Sequence, residues 1–171
     1  MTPTISFFIP MKPEPKQGDR SYVATSKTGK KFVKHYKDKQ VANAENWIAI
    51  NALPHAPAIP MDGPLFAILK AYTIPPASYS NKKREACLNG DIEPTGRPDI
   101  DNLTKMVFDA LGMTKKFFTN DSRFTFLAAT KEYSTREGIE FTYGETKNIT
   151  PELAKIFQQY YNKYNKKEID I

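Results

Sequence analysis

Cysteine is nearly absent. Cys87 stands alone in 171 residues, which excludes an intramolecular disulfide and fits a reducing cytoplasm. Histidine is as scarce: His35 and His55 have no partner at zinc-ligand spacing and read as structural or surface residues. No uninterrupted apolar run approaches the ~18 residues of a membrane span, so no membrane association is expected. The opening MTPTISFFIP has neither a charged leader nor a long apolar stretch, so it is not expected to act as a signal peptide. Internal repeats are lacking, and so are GxGxxG and GxxxxGK[ST] fingerprints, so no organic cofactor is expected. Acid is short relative to base: 25 Lys and Arg oppose 19 Asp and Glu, a net charge of +6. That balance favours a polyanionic partner, nucleic acid ahead of membrane.

What is present suffices for a core. Hydrophobic residues make up 40% of the chain and aromatics 12%. The reading is one α+β domain over residues 1–171, a mixed sheet of about four strands with helices packed on it. Ile5 to Met11 is an apolar run stopped by Pro13 and Pro15, a buried strand. A basic stretch follows, with Lys12, Lys16, Arg20, Lys27, Lys30, Lys31 and Lys34 against Glu14 and Asp19, and Tyr22 and Phe32 among them. It is either a solvated hairpin or loop, or an arm that meets DNA phosphates without reading sequence. His35 to Leu53 has helical periodicity, and Trp47 on its apolar stripe is expected in the core.

Pro54, Pro57 and Pro60 mark a linker, and Leu65 to Ile74 is a second buried strand. Tyr79 to Gly96 is polar and turn-rich and reads as a mobile loop, with Lys82, Lys83 and Arg84 clustered in it. Phe117 and Phe118 are expected in the core ahead of a base-wedging role. Ser122 to Tyr133 and Ile139 to Tyr143 alternate apolar and polar residues and read as a hairpin. Thr150-Pro151-Glu152 opens a last helix over about 150–165, a packing element or part of a dimer interface.

The organising stretch is Arg97 to Gly112, RPDIDNLTKMVFDALG. Pro98 biases Arg97 away from helix, so the helix is expected to start just beyond it. Asp99 or Asp101 is placed to cap its first turn. Leu103, Met106, Val107, Ala110 and Leu111 recur at helical spacing and mark one buried face, and Gly112 is placed to end the helix. Asp101, Lys105 and Asp109 share the opposite face, with Asn102 beside them. The acid pair alone fits plain capping, and Asp101–Lys105 alone fits an ordinary i, i+4 ion pair. A calcium loop counted from Asp99 fails, because Leu103, Thr104 and Ala110 fall where an oxygen ligand, glycine and glutamate are needed.

RPDIDNLTKMVFDAL, followed by Asn120-Asp121-Ser122 and an apolar strand, resembles the signature of the RusA family of Holliday-junction resolvases. The opening ISFFIPMKPEPKQGDR is also similar to that family's first strand and basic loop, so the likeness covers most of residues 5 to 145. The resemblance implies that Asp99, Asp101 and Asp121 are catalytic and ligate metal, that Lys105 is the catalytic lysine and that Asn102 is the neighbouring DNA-contacting amide. It also favours the phosphate-contacting reading of Lys12, Lys16, Arg20, Lys27, Lys30 and Lys31. One departure stands out: many members carry Asp-Asp before the strand, and here the first is Asn120, which keeps an oxygen but loses a charge.

The family implies a homodimer acting on four-way DNA junctions in recombination and repair, with Mg2+ as the metal and Mn2+ as its alternative. Hard cations take oxygen ligands and leave room for water and phosphate, which suits clustered carboxylates. A junction has approximate two-fold symmetry, and a C2 dimer supplies two sites in that arrangement. A nuclease of other branched DNA, or a non-catalytic DNA-binding module, remains open on the residues alone.

Overall fold

The structure is a computed structural model, and it describes residues 4–13, 20–36, 39–155, 158 and 162. Strand β1 is Ile5–Ile9, and β2 (Arg20–Thr25) and β3 (Lys31–Tyr36) follow. Helix α1 is Lys39–Ala52, β4 is Leu65–Thr73, α2 is Asn81–Leu88 and α3 is Ile100–Thr114. Strands β5 (Phe124–Tyr133) and β6 (Gly138–Glu145) complete the main body. Residues 151–155, 158 and 162 are helical, and Leu153 N donates to Thr150 Oγ1 at 3.3 Å as a cap. The rest of the expected 150–165 helix lies outside the described residues. No helix among the described residues is long and apolar enough to cross a membrane.

The expected mixed sheet is present, with order β1-β6-β4-β5. Strand β4 is its apolar centre: Leu65, Ala67, Leu69 and Ala71 are buried on the helix side, and Phe66 and Ile68 on the other. A strand buried on both faces needs partners at both edges. β5 supplies one in parallel, Ile68 opposite Ala128, and β6 supplies the other in antiparallel, Leu69 opposite Phe141. β5 and β6 are therefore not the hairpin that their alternation suggests, because β4 lies between them. Crossing two strand spacings takes about 9.6 Å. Residues 134–137 span it, and Ser134 N bonds Thr73 O at 2.9 Å on the way. A Cβ on Gly138 would run into the Phe8 ring and sit 2.7 Å from the backbone oxygen of Ile9, so only glycine lets β6 start this close to β1.

Helices α1 and α3 cover one sheet face. The buried face of α3 is Leu103, Met106, Val107, Ala110 and Leu111, as its spacing requires, with Thr104 at the margin. Phe117 and Phe118 are buried beside it, in a ring network where Phe108 meets Phe124 edge-on at 4.6 Å. The helix does not stop at Gly112. It runs on to Thr114 and ends at Lys115, which adopts the left-handed conformation (φ 53°).

Three further expectations change. The Tyr79–Gly96 segment contains α2, whose Ser80 cap accepts from Lys83 N at 3.3 Å and whose Cys87 is buried. His35 and Tyr36 end β3 and are not helical. Trp47 is 49% exposed, because α1 buries Val41, Glu45, Ile48 and Ala52, and the indole lies to one side of that stripe. Its Nε1 instead donates to Pro10 O at 3.0 Å, tying α1 to the end of β1.

Candidate active site

The solvent-facing side of α3 forms one wall of a cleft of about 580 Å3. Helical spacing delivers Asp101, Lys105, Phe108 and Asp109 to that wall. The facing wall is β5, through Phe124, Leu127 and Ala129, with Asp121 at its head. A smaller cavity of about 340 Å3 shares Phe108, Asp109 and Asp121 and continues past Asn120 toward Gly112. Three aspartates and one lysine thus meet in a groove running along α3. Asp109 was legible from its i, i+4, i+8 spacing with Asp101 and Lys105 and from its place in RPDIDNLTKMVFDAL, although the resemblance gave it no metal-binding role.

Asp121 is held from several sides. Asn120 Oδ1 accepts from Ser122 N at 2.8 Å, which commits that amide to shaping the turn at Asp121–Arg123. Asp62 accepts from the Thr119 hydroxyl and pairs with Arg123 at 3.0 Å, so it clasps residues on both sides of Asp121. The Thr119 hydroxyl, together with the Arg123 charge, holds the Asp62 carboxyl below its ordinary range. Backbone bonds Met61 N to Phe117 O and Thr119 N to Met61 O, both 3.0 Å, fasten the same loop. No sequence signal flagged Asp62, since it lies in the proline-rich linker and reaches the loop only through the fold.

The first turn of α3 carries the remaining signature residues. Asp99 occupies the N-cap position with extended backbone, yet its side chain makes no capping bond. Its carboxylate accepts from Asn102 Nδ2 at 3.5 Å, the outer limit of a hydrogen bond. Asp99 and Asn102 do not line the cleft that gathers Asp101, Lys105 and Asp121. Among the described residues no ion pair joins Asp101 to Lys105. Neither acid of the pair is therefore consumed by the capping or pairing that would make it merely structural.

Among the described residues no three His, Cys, Asp or Glu side chains are gathered closely enough to cage a metal unaided. The donor set still suits a hard cation. Magnesium usually takes one or two carboxylates, keeps several waters and completes its shell with substrate phosphate. Asp101 and Asp121 contribute two such carboxylates to the lining of one cleft.

The expected DNA-contacting residues separate. Lys27, Lys30 and Lys31 cluster at the tip of a β2–β3 ribbon, which forms a sheet of its own. The tip is a turn in which Gly29 takes φ 79° and Ser26 N bonds Lys30 O at 2.9 Å. Lys12 lines a different cavity, beyond β1. Lys16 lies outside the described residues, as does the side chain of Arg20.

The model of the family described as endodeoxyribonuclease RusA matches residues 10–142. YqaN of Bacillus subtilis (strain 168), an uncharacterized protein, is 35% identical over 98 residues, 56% of this chain and 68% of YqaN. The matched span includes the ribbon, the DxDN helix and the loop bearing Asp121, and the chain belongs to the endodeoxyribonuclease RusA family.

Proposed function

We propose that the protein is a Mg2+-dependent, structure-specific endonuclease that resolves Holliday junctions by paired symmetric nicks, acting as a single-domain subunit of a cytoplasmic homodimer. The observation that carries the reading is the cleft in which α3 and the loop before β5 bring Asp101, Lys105, Asp109 and Asp121 together in a chain of this family.

Asp101 and Asp121 would hold the cation between them, with Asp99 at the start of the same helix. Bound there, magnesium supplies Lewis-acid activation of a water and neutralises charge on the scissile phosphate. Lys105 presents a compact cation on the cleft wall, placed to offset negative charge that develops on phosphate oxygens. Asp109 extends the negative wall one turn further along α3. Phe124 and Leu127 on the β5 wall and Phe108 on the α3 wall make the rest of the cleft lining apolar. The ribbon lysines add salt-sensitive affinity for backbone phosphates away from the chemistry.

The test is cleavage of an end-labelled synthetic four-way junction in magnesium, beside a flap and a linear duplex of matched sequence. The reading expects paired cuts placed symmetrically in the junction and none in the duplex. Equal cutting of junction and flap would replace it with a general branched-DNA nuclease, and absence of metal-dependent cutting would leave a binding module.

A further inference from the structure

A third cavity, of about 490 Å3, opens on the other side of the first turn of α3. Leu103 lines this cavity, whereas Ile100, Asp101 and Thr104 line the cleft, so one helical turn partitions the two. Strand β5 shows the same division. Leu127 and Ala129 line the cleft, while Lys131 and Tyr133 line the cavity, all on every second residue of one strand face.

The charge reverses across that partition. The cleft holds three aspartates and one lysine; the cavity holds Lys12, Lys83, Arg97 and Lys131 against Glu93 and Glu137. Lys131 is engaged in fixing the wall, since its Nζ donates to Gly96 O at 2.7 Å and Pro98 O at 3.1 Å. Lys83 lies over the Tyr79 ring, 3.7 Å from its centre. Tyr79 in turn neighbours Tyr133, whose phenol is pushed up by burial first and by Tyr79 next. Ile92 and Pro94 add apolar wall.

A cationic rim over aromatic and aliphatic walls suits an anion that also has a flat apolar body. The volume lies in the range of small-ligand sites. Aromatic side chains stack on bases, and Lys and Arg meet phosphates. A duplex does not enter a cavity of this size, and a bare anion makes no use of the tyrosines. We propose that this cavity is a nucleotide subsite: it takes one unstacked nucleotide of the substrate strand, whose phosphate draws Lys83 off the Tyr79 ring toward Arg97 and whose base takes that ring face. The subsite rests on DNA being the substrate, as proposed above. It sets the strand's register by gripping it across the first turn of α3 from the cleft.

The probe is a short fluorescein-labelled oligothymidylate, titrated by anisotropy against the whole protein without divalent metal. Lys83→Glu is expected to weaken binding about tenfold and Tyr79→Ala several-fold, with Lys83→Arg and Tyr79→Phe near the parent. Thymidine monophosphate should displace the probe from the parent protein at concentrations where inorganic phosphate does not. Parent-like binding by folded Lys83→Glu overturns the subsite, and so does displacement by phosphate as effective as by the nucleotide. The competition keeps the proposal falsifiable if a variant misfolds. Asp101→Asn separates the two readings. A dead Asp101→Asn beside a parent-like Lys83→Glu keeps the nuclease and discards the subsite. A parent protein without metal-dependent cutting beside a weakened Lys83→Glu does the reverse.

Discussion

Helix α3 and the β2–β3 ribbon solve opposite problems with similar residues. The helix buries its whole apolar stripe and turns Asp101, Lys105 and Asp109 to a cleft. The ribbon leaves Val23, Val33, Tyr22 and Phe32 about half exposed or more, on both of its faces. Val23 pairs with Val33, and Phe32 with Ala24, so each face has an apolar centre and neither is buried. An isolated two-stranded ribbon is marginal in water, whereas a helix locked onto a sheet holds side chains in fixed places. Metal-ligating geometry tolerates little displacement and belongs on the helix. Attraction between lysines and phosphates acts over about 10 Å at 0.1 M salt and needs no such fixed placement.

The comparison can be broken most severely at Asp101. Asp101→Asn should lower junction cleavage on the order of 10²–10³-fold or more while leaving junction binding close to the parent. Single-turnover cleavage and gel-shift binding of the purified protein measure both, and retained cleavage by the folded variant removes Asp101 from the chemistry. Next in size is stability. Leu111→Ala should cost about 2–5 kcal/mol in urea unfolding, because it opens a hole beneath the helix. Val33→Ala should cost under about 0.5 kcal/mol, since it loses little burial; equal costs would mean the ribbon is covered in solution.

Lys105→Ala sharpens the functional half. It should slow cleavage by roughly 10²-fold at saturating protein and magnesium, with at most about 0.3–0.5 kcal/mol lost from the helix. Lys105→Arg should rescue partly, because the charge stays but its shape changes. A rate within a few-fold of the parent for Lys105→Ala would leave it a surface lysine. The smallest effect is expected at the ribbon tip. Neutralising Lys30 and Lys31 should flatten the plot of log affinity against log salt by roughly 0.9 for each phosphate no longer neutralised, with the cleavage rate at saturation unchanged. An unaltered slope would make the tip a bystander.

The helix was legible because its signal is local. Five apolar positions at helical spacing and three charges at i, i+4, i+8 lie within fifteen residues, and the fold adds nothing that contradicts them. Strand existence was legible for the same reason at β1, β4, β5 and β6. Strand partnership was not: β4 demands neighbours on both edges, and nothing near Ser134 tells the chain to step across it. Trp47 misled because one turn of α1 buries Glu45 where hydropathy would put the indole. Helix α2 hid because its apolar content is small, although Ser80 followed by a helix-forming run was a readable start. Asp62 could not be found at all, since its two partners lie more than fifty residues away.

The crossing of β4 by the last connection has a consequence for synthesis. Strand β4 leaves the ribosome with both edges unpaired, and its full set of partners is complete only with β6, seventy-odd residues later. At about 5–20 residues per second the wait is roughly 4–14 s. Throughout it LFAILKAYT, with Lys70 as its single charge, is a strand-prone segment open to any other nascent chain. Strand β1 waits longer still, because its only partner among the described strands is β6. The sheet therefore closes in one late event, and the yield of folded protein should respond to elongation speed and holdase supply more than to codon choice upstream of β4.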